Sequence, residues 1–227
     1  MKKTVSFQTK DDVKIVGDFY PVRSDASNGV YDAKSLKSVI LLHILPGNRR
    51  DFNSFAEILF ANGYNVLNID ERGHGESEAW PGETGSWQEF TQADYDKMIY
   101  DVDAAADWLK NKIPDTELAV IGGSIGANLA LLYGAKVQSK IVVALSPGID
   151  YHGVKTEIAS RNYRQNLLIA ASRDDDYAFK SSEKLFDISK ASRKDFVKYE
   201  SAGHGTRMFD AEPELQKRIL DFLAKHF

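Results

Sequence analysis

Cysteine is absent from this 227-residue chain. Its absence removes disulfides, zinc–thiolate centres and thiol nucleophiles, while saying little about compartment. Charge of one sign is also lacking: 29 basic residues stand against 33 acidic ones, for a net charge of -4. No basic stripe interleaved with aromatics appears, which argues against a nucleic-acid partner. Apolar runs are short, and none is long enough to cross a bilayer. The opening Met1-Lys2-Lys3-Thr4-Val5-Ser6 has the charges of a signal peptide, yet Phe7-Gln8-Thr9-Lys10-Asp11 supplies no apolar core. A cytoplasmic protein without a membrane partner is expected. No His-Glu-x-x-His or other ligand set appears either, so no metal or other cofactor is expected.

What is present is a repeating alternation. Val5–Thr9 and Val13–Phe19 alternate around Asp11-Asp12, which reads as an antiparallel hairpin. A polar loop over Val22–Lys37 leads to the continuous apolar run Val39–Leu42, the sign of a strand buried on both faces. Further strands are expected at Tyr64–Ile69, Leu118–Ile121, Ile141–Leu145, Leu167–Ala171 and Phe196–Glu200. Between them fall helical patterns at Phe52–Ala61, Gln92–Lys112, Ala127–Tyr133 and Ala178–Lys190, with a last one over Pro213–His226. Asp150–Asn166 has room for a short helix and is too brief for a substantial lid. Strand–helix alternation after a hairpin implies an α/β fold: a mostly parallel twisted sheet with helices on both faces. Parallel strands present their C-terminal ends at one edge, so loops after separate strands converge on one site. The length suits one domain over residues 1–227.

Gly122-Gly123-Ser124-Ile125-Gly126 falls on one of these strand-to-helix turns. A turn that sharp exposes the serine on a strained backbone, and glycines at 122 and 126 remove side chains that would collide with neighbouring elements. The following helix points free N–H groups and its positive dipole end at the position where an oxyanion would form. A serine hydroxyl is a weak nucleophile until an oriented base takes its proton. Past the strand Leu167–Ala171 lies Ser172-Arg173-Asp174-Asp175-Asp176, and past Phe196–Glu200 lies Ser201-Ala202-Gly203-His204-Gly205. Serine, aspartate and histidine thus occur in order at three strand ends. One aspartate, Asp176, is also expected to cap the next helix. A dinucleotide fingerprint fails on spacing, since Ser124 occupies the second glycine position and no acidic residue lies near 144.

Together with Leu41-Leu42-His43-Ile44-Leu45-Pro46-Gly47-Asn48-Arg49 and Asp70-Glu71-Arg72-Gly73-His74-Gly75-Glu76-Ser77, these segments resemble the α/β-hydrolase superfamily. More narrowly, they resemble its small, nearly lidless serine carboxylesterases. The resemblance implies an α/β-hydrolase fold and hydrolysis of small-molecule carboxylic esters through an acyl-enzyme. By position Ser124 matches the nucleophile and His204 the base. Counting from Ser172 makes Asp175 the orienting acid, with Asp174 as the alternative. The oxyanion hole would use the backbone N–H groups of Ile125 and Leu45. Ile44 stands where the family usually has glycine, and His43 and His74 match loop-bracing histidines. Trp80, Trp87 and Phe90 fall at the expected active edge, as a pocket wall or as packing. The same triad serves thioesterases, acyltransferases and peptidases, and a non-catalytic ligand-binding module of this fold is the remaining alternative.

Overall fold

The computed structural model describes residues 2–22, 36–77, 79–80 and 83–227, without the side chains at 79, 80, 83 and 84. In chain order the elements are β1 (Lys3–Gln8), β2 (Lys14–Tyr20), β3 (Lys37–Leu42), α1 (Asn53–Ala61), β4 (Asn65–Asp70), β5 (Ala79–Trp80), β6 (Glu83–Thr84), α2 (Gln92–Lys97) and α3 (Ile99–Lys112). They continue as β7 (Glu117–Gly123), α4 (Ile125–Val137), β8 (Ile141–Leu145), β9 (Asp150–Tyr151), β10 (Val154–Lys155), α5 (Glu157–Asn162), β11 (Asn166–Ser172), α6 (Asp176–Ile188), β12 (Arg193–Tyr199), α7 (Met208–Ala211) and α8 (Glu214–His226). Eight strands form one sheet in the order β1-β2-β4-β3-β7-β8-β11-β12. The β1–β2 hairpin is antiparallel and β2 meets β4 antiparallel, while the pairs from β4 to β12 are parallel. The fold is the expected mostly parallel sheet with an N-terminal hairpin.

The continuous apolar runs explain why the middle strands are covered on both sides. In β3 the residues Val39 and Leu41 pack into one core, and Ile40 and Leu42 into the other. A side-chain period of two sends alternate residues to opposite faces of a strand. One core is roofed by α3 and α4 (Val102, Leu109, Leu129, Tyr133), the other by α1 and α8 (Phe55, Leu59, Ile219, Leu223). No helix among the described residues is long and apolar enough to cross a membrane.

Two expectations change in detail, and a third lies largely beyond what is described. The single helix expected over 92–112 divides at Met98, where the chain tightens so that Met98 N–H donates to Tyr95 and Asp101 N–H donates to Met98. Residues 150–166 hold the β9–β10 hairpin as well as the short helix α5. The polar loop expected over 22–37 falls largely outside the described residues.

Candidate active site

Ser124 sits between the end of β7 and the start of α4 with φ 55° and ψ -121°, a strained conformation for a side chain with a Cβ. Its backbone N–H donates to the Leu145 carbonyl at 2.9 Å, tying the elbow to the neighbouring strand. The flanking glycines are demanded by contact. A Cβ on Gly122 would lie 2.1 Å from the Gly126 carbonyl oxygen, and one on Gly126 would lie 2.5 Å from the carbonyl oxygens of both Leu42 and His43. At the N-terminal end of α4, the Ile125 N–H has no intrahelical acceptor.

His204 lies just past β12, and its Nδ1–H donates to Asp175 Oδ2 at 2.5 Å. The imidazole is 29% exposed and the carboxylate 20%, so the pair is shielded while one face stays open. With Nδ1 committed to Asp175, Nε2 is the nitrogen left to face a reacting group. Gly205 abuts the elbow: a Cβ there would stand 3.7 Å from the Ser124 backbone nitrogen. Asp174 points elsewhere, accepting from the Ser201 hydroxyl at 3.2 Å and from the Gly203 N–H at 3.3 Å. Of the two aspartates weighed from sequence, Asp175 meets the imidazole and Asp174 braces the histidine loop.

The capping expectation for Asp176 is corrected. α6 starts at Asp176, so Asp175 holds the position before the helix; its side chain makes no capping bond because it turns to His204. Asp176 instead pairs with Lys180 on the exposed face of α6.

Sequence reasoning missed three residues. Ser146 follows β8 with φ 52°, and its hydroxyl accepts from the Gly205 N–H at 2.9 Å. Ser172 ends β11 and accepts from the Ala202 N–H at 2.7 Å. Both are fully buried and pin the histidine loop to adjacent strand ends. Tyr151, on β9, donates its hydroxyl to the Ser146 carbonyl at 3.2 Å and sets its ring edge-on to the His204 imidazole. The available signal was position alone: each lies at or shortly after the C-terminal end of a central strand.

The loop after β3 is braced from beneath. His43 Nδ1–H donates to the Ile44 carbonyl at 2.8 Å, and the Gly47 N–H donates to the same oxygen at 2.6 Å. In a planar trans peptide the Leu45 N–H points away from that pinned carbonyl. Ile44 needs no positive φ here, and its Cγ2 packs where side chains at 123 and 205 would otherwise stand. His43 Nε2 meets Glu71 Oε2 in a fully buried contact. Burial opposes charge on His43, but the facing Glu71 carboxylate raises its pKa. Glu71 is pushed up by burial.

The loop after β4 is locked similarly. Arg72 donates to Asp11 at 2.8 and 3.0 Å and to Asp101 at 2.9 Å. The His74 ring stacks on Trp87 and meets Phe90 edge-on, at 5.8 and 6.3 Å between centroids. Trp87 and Phe90 thus serve packing around that histidine. The Trp80 side chain lies outside the described residues.

A mostly parallel sheet, a strained serine elbow, and an aspartate–histidine pair at later strand ends define an α/β-hydrolase fold. The family model described as serine aminopeptidase, S33 (Hydrolase_4) matches residues 33–165, and the chain belongs to that family. A serine hydrolase-like protein of Dictyostelium discoideum is 23% identical over 185 residues, covering 80% of this chain and 47% of the relative. The chain therefore spans about half the length of that curated relative. Among solved structures, the Pyrococcus furiosus esterase Pf2001 superposes with a TM-score of 0.79 at 24% identity, covering 100% of this chain and 93% of the esterase. An acetyl xylan esterase from Paenibacillus sp. R4 gives 0.79 at 17% identity, covering 100% and 84%.

Proposed function

We propose that the chain is a serine hydrolase acting on carboxylic esters, with Ser124 as nucleophile, His204 as base and Asp175 as its orienting acid. The observation that carries this reading is the 2.5 Å bond from His204 to Asp175 beside the strained elbow of Ser124. In this mechanism Ser124 Oγ attacks the ester carbonyl carbon and Nε2 of His204 takes its proton. Asp175 holds the ring and stabilises the imidazolium. The N–H groups of Ile125 and Leu45 hold the oxyanion; removing one such donor costs roughly 10²–10³ in turnover. The alcohol leaves with the proton from His204, and water then cleaves the acyl-enzyme by the same route. Among the described residues the segment after β8 holds a two-residue-per-strand hairpin and the six-residue helix α5, which suits small soluble esters rather than emulsified lipids.

Two of the solved relatives are named as esterases, which favours the ester reading. The family description names an aminopeptidase, which keeps amide cleavage as the second reading. Labelling with a fluorophosphonate probe tests the nucleophile: wild-type protein takes the label and Ser124→Ala does not. Unlabelled wild-type protein would remove the hydrolase reading. A panel of matched ester, thioester and aminoacyl amide substrates then separates the two reactions, and faster amide than ester turnover would favour the peptidase.

A further inference from the structure

The β9–β10 hairpin and the first turn of α6 set two aromatic rings in a row beside His204. Tyr151 stands edge-on to the imidazole, with 6.2 Å between centroids and 85° between planes. Tyr177 stands against Tyr151 in turn, at 5.6 Å and 61°. It follows closely on Asp175, so the residue that holds His204 and the outer ring share the start of one helix. The row runs from the imidazole through the half-buried Tyr151 to Tyr177, which is 48% exposed.

Neither ring is free to turn away. Tyr151 packs on Gly148, where a Cβ would lie 2.7 Å from its Cε2, and its hydroxyl donates to the Ser146 carbonyl at 3.2 Å. Tyr177 is held by its far end. The Asp150 N–H donates to its hydroxyl at 3.0 Å, and that hydroxyl donates back to the Asp150 carbonyl at 2.8 Å. The hairpin is itself fixed from beneath. Buried Asn128 of α4 donates to the Val154 carbonyl at 2.7 Å and accepts from the Gly148 N–H at 2.9 Å, while the Thr156 hydroxyl donates to the Gly148 carbonyl at 2.7 Å. Exposure of the Tyr177 ring is therefore built in: its polar end is satisfied by protein, and its apolar surface is left for a ligand group to cover. Val137 and Ile158 are the other large apolar side chains as exposed among the described residues, and neither has a ring.

The path of the proton decides which part of an ester meets this row. Nδ1 of His204 is committed to Asp175, so Nε2 returns the proton to the leaving oxygen. The alcohol portion therefore lies against the imidazole, and its substituent continues past the neighbouring rings.

We propose that Tyr151 and Tyr177 form a leaving-group subsite, and that the ester class it favours carries an aromatic ring on its alcohol portion, a short carbon link from the ester oxygen. This rests on the reading of Ser124 as nucleophile and His204 as base. Tyr151 forms the inner edge of the subsite, and Tyr177 sets the preference for a ring.

The test compares phenethyl acetate with cyclohexylethyl acetate, whose alcohols are alike in length and basicity and differ in whether the ring is aromatic. The readout is kcat/KM, which covers acylation, the step in which the alcohol leaves. Wild type favours the phenethyl ester roughly two- to tenfold, the worth of an aromatic pair beyond the area it buries. Plain hydrophobic contact would not give that preference, because the cyclohexyl ring is at least as apolar. Tyr177→Leu keeps apolar bulk and loses the ring, so the preference disappears; Tyr177→Phe keeps the ring and retains it. Should Tyr177→Leu fail to fold, Tyr177→Gln, a good helix former at an exposed position, is read in its place. Equal or inverted rates in wild type, or a preference kept by the folded variant without a ring, overturn the subsite. So does labelled wild-type protein that turns over neither ester. Wild-type protein that takes no fluorophosphonate label overturns instead the nucleophile reading beneath it.

Discussion

Ile44 lies directly on Gly123: a Cβ on that glycine would stand 2.7 Å from Ile44 Cγ2. The same methyl group stands 2.6 Å from where a Cβ on Gly205 would be. One side chain therefore fills the space between the loop after β3, the elbow and the histidine loop, and it is 6% exposed. The substitution of isoleucine for the usual glycine is matched by glycines at the two places it touches.

This contact predicts non-additive energetics. Gly123→Ala destabilises the protein by roughly 1–3 kcal/mol through overpacking against Ile44. Ile44→Ala costs roughly 2–5 kcal/mol by leaving a cavity. The double variant recovers part of the loss, because the new methyl group enters the space vacated by the old one. Urea unfolding of all four proteins should give a favourable coupling of roughly 0.5–3 kcal/mol. Strict additivity would mean that the two residues do not share this space.

The two neighbouring aspartates should separate in kinetics. Asp175→Asn replaces the carboxylate that accepts from His204 Nδ1 and favours the wrong tautomer, so kcat falls by roughly 10⁴. Asp174 accepts from the Ser201 hydroxyl and the Gly203 N–H on the exposed side of this loop, so Asp174→Asn costs no more than roughly tenfold, the value of one or two exposed hydrogen bonds. Equal losses in the two variants, measured with one soluble ester, would reassign the acid.

Much of this arrangement was legible because local chemistry and topology point the same way. Gly122 and Gly126 are readable as spacers since a sharp strand–helix turn leaves no room for a Cβ, and the contacts of 2.1 and 2.5 Å bear that out. Val39–Leu42 is readable as a doubly covered strand because it carries no polar break. Asp175 could be ranked above Asp174 only by counting from the strand end, since both are carboxylates in one turn. Tyr151, Ser146 and Ser172 carry no local pattern of their own; their importance arises from the juxtaposition of β8, β11 and β12, which only the folded sheet creates. Asp176 was misplaced as a cap for the same reason: α6 already begins at Asp176, and Asp175 before it makes a long-range bond to His204 instead of a cap.

Backbone contact at the elbow sets a second limit. A methyl group on Gly126 would press on two backbone carbonyls of β3 and its loop, which cannot yield as a flexible side chain would. Gly126→Ala should therefore cost roughly 3 kcal/mol or more and reduce probe labelling even in the fraction that folds. A thermal melt unchanged from wild type would show that β3 and α4 can separate at this point.

His74 gives the fold an acid-sensitive element distinct from His204. Its Nδ1–H donates to the Arg72 carbonyl at 2.8 Å, which leaves the Nε2 lone pair buried and, among the described residues, without a hydrogen-bond partner. Burial, then the nearby His43, lowers its pKa to about 3. In the unfolded chain the value is roughly 6.5. Above that pH both states hold His74 neutral, and its contribution to stability is complete. As pH falls from 6.5 towards 3, the unfolded chain binds a proton that the folded chain refuses, so stability is lost across that window, on the order of 5 kcal/mol in all. His74→Asn keeps a donor for the Arg72 carbonyl and removes the titrating nitrogen. It should lower stability at pH 7 through lost stacking on Trp87, yet flatten the dependence of unfolding free energy on pH between 6.5 and 3. Urea unfolding at half-unit pH steps measures that slope, and a slope equal to wild type would place the acid sensitivity in another group.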